Sequence, residues 1–536
     1  MSAPVSAIIY YINTSIFKTD IFDGYVQKDQ YKIDILHYSI HIDLYPGENK
    51  IAGNVILTGV KNDKSLNQIN LNFYDNLSIK SLKLNQRPAE YDRSERNLTI
   101  YLNEEAPDDT FQVQIMYEGT PRKTGMSSFS FDKFSGRSAV YTLNEPIYAS
   151  TWLPCNDIPS DKALADIYIT NDSSKVSVSN GLLAGISASA NGRKTYHWKV
   201  IYPISTYLIC LYSANYSVFS QPYISASGDT MDMDYYVFPE HLEMAKYDMS
   251  VHADIMNVFS KLFGEYPFIK EKYGVAEFLW QLGAMEHQTI TGIGSNFING
   301  KRFFNDFYIH ELAHQWWGNA VGPATWKDVW LNEGFASYSE ALYYESSGGT
   351  EALNASMQSM FQDDFPGTLY NPSGDIFNET VYDKGAWVLH MLRNELGDDI
   401  FFRVLREYYN TYKYRSASTE DFRNLCQKIS GKDLNQFFQQ WVYKGSGIAE
   451  LQYKWTAVKN SGGYSVSISV EQVQDGYDTY IFPMEIQVVM PNSNENFSKI
   501  VYIDRRKKNI EFTTGKLPME IILDPENKLL MKVRKS

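Results

Sequence analysis

The sequence predicts a multidomain α+β protein, because its hydrophobic pattern changes twice along the 536 residues. Strand-like alternation fills residues 1–214, helical spacing dominates residues 215–445, and alternation returns in residues 446–536. We therefore predict an N-terminal antiparallel β domain, a central α-rich domain with a β edge, and a small C-terminal β-sandwich, with these ranges as their boundaries.

The N-terminal domain is predicted from its alternating runs. HYSIHIDLYPGENKIAGNVILTGV, which begins at His37, gives two such runs around a Pro-Gly-Glu-Asn turn. The runs QINLNFYD, NLTIYLN, FQVQIMYEG and ADIYITND continue the same pattern. Because side chains alternate between the two faces of a strand, a period of two indicates a sheet with one buried face.

The central helices and the last strands are marked by residues at their ends. A helical run follows Pro239 and reaches Gly264, and STEDFRNLCQKISG opens with Ser418 in a position like that of a capping box and ends at Gly431. After a Gly-Ser-Gly link that starts at Gly445, the runs YSVSISVEQV, MEIQVVMP and KIVYIDRR alternate again. Such a link is typical of a domain boundary.

The composition excludes some partners and favours one compartment. A formal net charge of -14 makes the chain a poor partner for nucleic acid, whose phosphates need a basic face. No run reaches the roughly 18 apolar residues of a transmembrane helix. The apolar run Val5–Ile12 lacks the preceding basic residue of a secretory signal, and three widely spaced cysteines predict free thiols. These observations favour the cytoplasm and leave the periplasm or secretion open.

The stretch HELAHQWWGN, residues 310–319, places two histidines four apart with a glutamate after the first. On a helix, His310 and His314 lie on one face and can direct two imidazoles at one ion. A catalytic zinc takes such ligands together with a third protein ligand, and Glu311 stands where a general base is needed. FFNDFYIHELAHQWWG contains no proline and ends at Gly318, so we predict one helix through the motif.

A third ligand follows the motif. Glu333 lies 19 positions after His314 in DVWLNEGFASYSEALYYE, whose periodicity predicts a second helix. Two histidines and one glutamate form a known catalytic zinc set, so the sequence predicts one Zn²⁺ per chain. The alternative is a buried helix whose histidines pack beside Trp316 and Trp317 and bind no metal.

Four motifs, in the same order, resemble those of the zinc aminopeptidases of the aminopeptidase N family, a group of gluzincins that includes leukotriene hydrolase. They are NEPIYASTWLPCNDIPSDK, GAMEH at residues 283–287, HELAHQWWGN with the glutamate of WLNEGFA, and VYDKGAWVLHML. The resemblance runs from about residue 30 to the end of the sequence. It implies a thermolysin-like fold for the central domain and hydrolysis of peptides that have a free N-terminus.

The resemblance implies a role for each residue of the metal site. Zn²⁺ is held by His310, His314 and Glu333, where it polarises the scissile carbonyl and activates a water molecule. Glu311 takes the proton from that water and later gives it to the leaving amine. Tyr382, in the VYDKG stretch, donates a hydrogen bond to the oxyanion of the transition state.

The resemblance also implies how the substrate is held. Glu286 binds the cationic α-amine, so that cleavage falls after the first residue, and Glu145 contacts the same amine. The alternative for Glu145 is a solvated glutamate in a loop. Gly283, Ala284 and Met285 precede Glu286 in a strand whose edge is expected to pair with the substrate backbone.

Two features depart from the family pattern. His287 replaces the asparagine of the family's G-A-M-E-N, and as a histidine it is expected to titrate near neutral pH and to change the pH profile. The chain also stops after the small β domain, where many relatives carry a further helical domain. We therefore expect either a more open cleft or a second subunit that covers it, and the oligomeric state stays open.

Two other classes of function remain as alternatives. A non-catalytic scaffold would use the same architecture for protein binding, but such a protein is expected to lose a ligand or the base. The second class is an endopeptidase or an epoxide hydrolase. Glu286 argues against the endopeptidase, and the missing helical domain argues against the epoxide hydrolase. The preferred N-terminal residue does not follow from the sequence.

Overall fold

The computed structural model describes residues 26–102, 109–372 and 374–536. The chain divides into two compact units. The first unit runs to Trp326 and includes Tyr408–Ser418, and the second contains Lys327–Glu407 and Thr419–Ser536. The three domain ranges expected from the sequence remain a proposal.

Strands dominate the first unit, as the alternating runs predict. Their bounds are β1 (Ile33–Tyr45), β2 (Lys50–Lys61), β3 (Gln68–Asn72), β4 (Ser78–Leu84), β5 (Arg87–Pro88), β6 (Tyr91–Arg93), β7 (Asn97–Tyr101), β8 (Thr110–Gly119), β9 (Ser128–Phe134), β10 (Arg137–Leu143), β11 (Lys162–Asp172), β12 (Val176–Val178), β13 (Leu182–Ser189), β14 (Arg193–Ser205), β15 (Tyr212–Ala214), β16 (Ser217–Ile224), β17 (Thr230–Val237), β18 (Tyr273–Phe278), β19 (Ala284–Met285), β20 (Thr291–Gly294), β21 (Val321–Pro323) and β22 (Arg415–Ala417).

Most strands of this unit form three mainly antiparallel sheets and one mixed sheet. One sheet has the strand order β13-β14-β11-β1-β2-β8-β4-β5, and two smaller sheets have the orders β12-β15-β10-β9 and β3-β7-β6. Among the described residues, the paired strands of these three sheets are antiparallel except for β1 and β11, which confirms the predicted antiparallel β domain. A mixed sheet, β16-β17-β18-β20-β19, ends at the short edge strand β19.

The helices follow the predicted spacing. Their bounds are α1 (Leu242–Asp248), α2 (His252–Phe263), α3 (Asn305–Ala313), α4 (Trp330–Ser359), α5 (Gly385–Leu396), α6 (Asp398–Tyr412), α7 (Thr419–Ser430) and α8 (Asn435–Phe438). Gly264 and Gly431 follow α2 and α7 with φ angles of 119° and 69°, which confirms both glycines as helix ends. In the described part of the chain, no helix has the length and apolar character needed to cross a membrane.

Helix α3 is shorter than the sequence predicts. The prediction extends the motif helix to Gly318, but α3 ends at Ala313 and His314 is the residue that follows it. The backbone N–H groups of Gln315 and Trp316 donate to carbonyls three residues earlier, which tightens the chain into a turn. Gly318 then takes a φ angle of 117°. The helix prediction is therefore right in type and wrong at its C-terminal end.

The second unit combines helices with C-terminal strands. These strands are β23 (Ala449–Asn460), β24 (Gly463–Gln472), β25 (Phe482–Val489), β26 (Phe497–Ile503), β27 (Lys507–Thr514), β28 (Glu520–Leu523) and β29 (Met531–Lys535). They form a four-stranded sheet, β27-β24-β23-β29, and a three-stranded sheet, β26-β25-β28. Burial alternates along β24 and β25, which is the pattern of sheets with one face toward a core. The predicted C-terminal β region and the α+β class are confirmed.

Candidate active site

Helix α3 and the residue after it carry the two histidines of the H-E-x-x-H motif. The backbone N–H of His314 donates to the carbonyl of His310 at 3.1 Å, so one helical turn separates them. Their ring centroids lie 4.7 Å apart, and nitrogen atoms of the two imidazoles lie within 4.8 Å of each other. Both residues are buried, each 2% exposed. Both rings can therefore contact a single ion.

The hydrogen bonding of His314 fixes the tautomer that a metal ion requires. Nδ1 of His314 lies 2.9 Å from the carbonyl oxygen of Trp317. Because a carbonyl only accepts, Nδ1 carries the proton and Nε2 presents its lone pair. Zinc binds neutral imidazole through such a lone pair, and orienting bonds of this kind are common at zinc sites. The tautomer of His314 therefore fits a zinc ion.

Glu311 lies in α3 directly after the first histidine and is 5% exposed. Two buried phenols of the first unit, Tyr212 and Tyr273, are close enough to sense its charge. Burial is the main reason that the pKa of both hydroxyls is well above its usual value, and the negative charge of Glu311 raises it further. Both hydroxyls therefore stay neutral. Two of the groups near Glu311 are thus buried and neutral, and interactions between charges are stronger in such surroundings than in water.

Glu286 and Glu145 form a buried carboxylate pair in the first unit. Glu286 follows the edge strand β19, and Glu145 follows β10. Oxygen atoms of the two carboxylates lie within 4.8 Å of each other, and each residue is 4% exposed. Two like charges buried this close repel each other, so the pair favours a bound cation. The burial of Glu145 contradicts the alternative of a solvated loop glutamate.

Strand β19 offers one edge of its sheet. Ala284 and Met285 pair with Ile293 and Gly292 of β20, and β19 is the last strand in the sheet order. Gly283, just before the strand, is buried, and Ala284 is half-buried. Within the described residues the other edge of β19 pairs with no strand. An extended peptide can add to such an edge through main-chain hydrogen bonds.

The second unit holds the other two predicted site residues. Glu333 lies in the first turn of α4 and is 2% exposed, and Tyr382 lies in the π-helical turn Thr380–Lys384 and is 6% exposed. A Cβ atom on Gly334 would lie 2.8 Å from the Cα atom of Gly385, so α4 packs closely against α5. This approach places the first turn of α4 beside the turn that carries Tyr382. Single π-helical turns are frequent at functional sites.

His287 is enclosed by the first unit. The residue is fully buried, and its Nδ1 atom lies 2.6 Å from the hydroxyl oxygen of Tyr212. Burial lowers the pKa of His287 to about 3. The prediction that His287 titrates near neutral pH is therefore wrong, because the sequence motif does not show that the imidazole is shut off from water.

A β domain followed by a buried H-E-x-x-H helix is the arrangement of a class of metallopeptidases. Residues 35–208 match the Peptidase M1 N-terminal domain, and residues 247–441 match the Peptidase family M1 domain. Together these matches cover more than half of the chain. The chain therefore belongs to peptidase family M1, and its resemblance to the aminopeptidase N family is confirmed.

Three known proteins illustrate the likeness. The probable aminopeptidase 1 of Sulfurisphaera tokodaii is 25% identical over 434 residues, which are 74% of this chain and 53% of the relative. The M1 zinc metallopeptidase of Deinococcus radiodurans is 28% identical, with a TM-score of 0.67 over 77% of this chain and 93% of its own. Aminopeptidase A of Legionella pneumophila, at 18% identity, shares the fold with a TM-score of 0.83 over 94% of this chain and 60% of its own. The chain spans about half the length of the curated relatives it matches.

Proposed function

We propose that the protein is a zinc-dependent aminopeptidase that releases the first residue from peptides with a free N-terminus. The buried pair of Glu145 and Glu286, in the same unit as the H-E-x-x-H helix, carries this proposal. A buried carboxylate pair suits the cationic α-amine that only a free N-terminus provides. The aminopeptidase among the relatives supports the same activity.

One Zn²⁺ per chain is held by His310, His314 and Glu333, the set that the motif and the glutamate 19 positions later predict. When bound, the ion polarises the scissile carbonyl and makes a water molecule more acidic. The burial of the three side chains and the Nδ1-protonated tautomer of His314 support this assignment.

Glu311 is the general base of the reaction. Its carboxylate accepts a proton from the attacking water and then donates that proton to the leaving amine. A group in this role must lie within hydrogen-bond reach of the water, and Glu311 lies on the same helix as His310, directly after it. The burial of Glu311 also supports the role, because few other waters compete for its oxygens.

The α-amine of the substrate binds Glu286 and Glu145, and its backbone lies along β19. An ammonium group that donates to two carboxylates is held at one place, so the first peptide bond is the one presented for cleavage. Gly283, Ala284 and Met285 supply the strand edge for the substrate backbone. Small side chains at the first two positions leave room for that approach.

A pair of substrates that differ only at the N-terminus tests this function. We expect the zinc-loaded protein to hydrolyse leucine para-nitroanilide and to leave the N-acetylated compound intact, because acetylation removes the cation. Absorbance of the released nitroaniline measures both rates, and a series of aminoacyl groups then gives the preferred residue. Equal cleavage of the acetylated compound would contradict exopeptidase activity. A zinc-loaded protein without any activity would favour the non-catalytic scaffold.

Tyr382→Phe is expected to lower kcat by about 10²–10³-fold with little change in KM, because the phenol donates to an oxyanion that forms only in the transition state. Steady-state kinetics separate the two constants. Tyr338→Phe is the matched control. Tyr338 lies in α4, its side chain is buried like that of Tyr382, and its hydroxyl oxygen lies 3.2 Å from Nδ1 of His390. A Tyr382 variant with the wild-type kcat would remove this residue from the mechanism.

We also propose a cytoplasmic location, with peptides as partners and no nucleic acid. The three cysteines are free and buried, which agrees with a reducing compartment. The formal charge of -14 opposes contact with phosphate backbones.

A further inference from the structure

Two amide side chains from the turn after α3 hold the segment that follows the amine anchor. Nδ2 of Asn319 donates to the carbonyl of Glu286 at 2.6 Å, and Nε2 of Gln315 donates to the carbonyls of Glu286 and His287 at 3.4 and 3.3 Å. Oε1 of Gln315 accepts from the backbone N–H of Thr289 at 2.9 Å. Both amide side chains are fully buried, so water does not compete for these bonds.

The backbone at Thr289 shows that contacts set the path of this segment. Thr289 has a φ angle of 66°, in the left-handed region that a β-branched residue rarely adopts. Such a conformation persists only where the surroundings determine it. Besides the bond to Gln315, the N–H of Gly181 donates to Oγ1 of Thr289 at 2.9 Å. The backbone preference of threonine alone would not give this conformation.

The same two side chains belong to the turn that begins at the second histidine. The backbone N–H of Asn319 donates to the carbonyl of His314 at 3.0 Å. From the other side, Nζ of the half-buried Lys162 donates to the carbonyl of Asn319 at 2.6 Å. Direct contacts therefore connect His314 to Glu286 through Asn319, without a flexible link between them.

We propose that Gln315 and Asn319 are positioning residues that set the distance between the Glu286 carboxylate and the histidine-bearing helix, and that this distance confines cleavage to the first peptide bond. This role rests on the proposed aminopeptidase function. One residue of extended chain spans about 3.3–3.6 Å, so an anchor displaced by that length would present the second peptide bond.

Two variants separate this role from general support of the fold. Asn319→Ala removes the donor to the Glu286 carbonyl, and Gln315→Glu removes two donor contacts but keeps an oxygen for the N–H of Thr289. We expect KM for a pentapeptide with a free amine to rise about tenfold or more, with a smaller change in kcat. We also expect mass spectrometry to show the N-terminal dipeptide beside the single residue among the products.

Gln440→Ala is the matched control. The side-chain amide of Gln440 is fully buried and bonds the N–H and the carbonyl of Ile481 at 2.9 and 2.7 Å, much as Gln315 bonds its own segment. This variant is expected to keep the wild-type KM and the single product. Zinc content and the midpoint of thermal unfolding are measured for every variant, so that loss of metal or fold is separated from a displaced anchor.

The outcomes distinguish this role from the proposed function itself. A wild-type KM with the first residue as sole product, in both variants, would overturn the positioning role alone. Loss of zinc in place of a raised KM would also overturn it, and would assign the two amides to the metal site. Wild-type protein that releases no residue would overturn the aminopeptidase function and the positioning role together. If Asn319→Ala does not fold, Gln315→Glu decides between the same outcomes.

Discussion

Glu311→Gln is expected to lower kcat by about 10²–10⁴-fold while the protein keeps its zinc. Glutamine has nearly the size and shape of glutamate but takes up no proton, so the attacking water loses its base and the leaving amine loses its acid. His310 and His314 are untouched, so the affinity for the metal is expected to change little. Steady-state kinetics on leucine para-nitroanilide and metal analysis of the same sample measure both quantities.

Glu407→Gln provides the control for this substitution. It makes the same chemical change on an exposed position of α6 and is expected to leave kcat and zinc content unchanged. A Glu311 variant that retains the wild-type kcat would show that another group acts as the base. A variant that has lost its zinc would show that Glu311 supports the metal site and would leave proton transfer to another residue.

Removal of zinc with a chelator is expected to abolish hydrolysis and to lower the midpoint of thermal unfolding, and added Zn²⁺ is expected to restore both. A ligand that binds only the folded protein stabilises it by about 4 kcal/mol at a free concentration 1,000 times its Kd. Activity and calorimetry before dialysis, after dialysis and after addition of zinc measure the two effects.

Mg²⁺ is the control cation for this experiment. Magnesium prefers oxygen ligands in octahedral geometry, whereas the site supplies two imidazoles, so Mg²⁺ is expected to restore neither activity nor stability. Zinc-free protein that keeps full activity would contradict the metal-dependent mechanism.

The fold class could be predicted because burial follows a local period. In β1, Ile40 and Ile42 are buried and His41 between them is half-buried, which is the alternation present in the sequence itself. The end of α3 could not be predicted in this way. Good helix formers continue to Gly318, but Gln315 accepts from a backbone N–H that lies 26 residues earlier, and such a contact leaves no periodic signal.

In the candidate site, too, the features set by local spacing could be predicted and those set by long-range packing could not. His310, Glu311 and His314 could be predicted because the geometry of one helical turn follows from their spacing. The pairing of Glu145 with Glu286 depends on the packing of two distant segments, so only the likeness of whole motifs indicated it. The burial of His287 and the contacts of Gln315 and Asn319 with the segment after Glu286 were not predicted, for the same reason. The amides did carry one signal, since they lie four apart immediately after the second histidine.

Residues that precede the first helix in the chain donate several of the bonds that hold the active-site turns. These donors are the Lys162 amine to the carbonyl of Asn319, the Tyr207 hydroxyl to the carbonyl of Gly318, and the Asn180 amide to the carbonyl of Gln288. These donors and their acceptors lie in one compact unit of the chain. A fragment that began at the first helix would leave these three carbonyls to bond water in place of fixed donors, so the residues before that helix help to fix the path of the active-site turns.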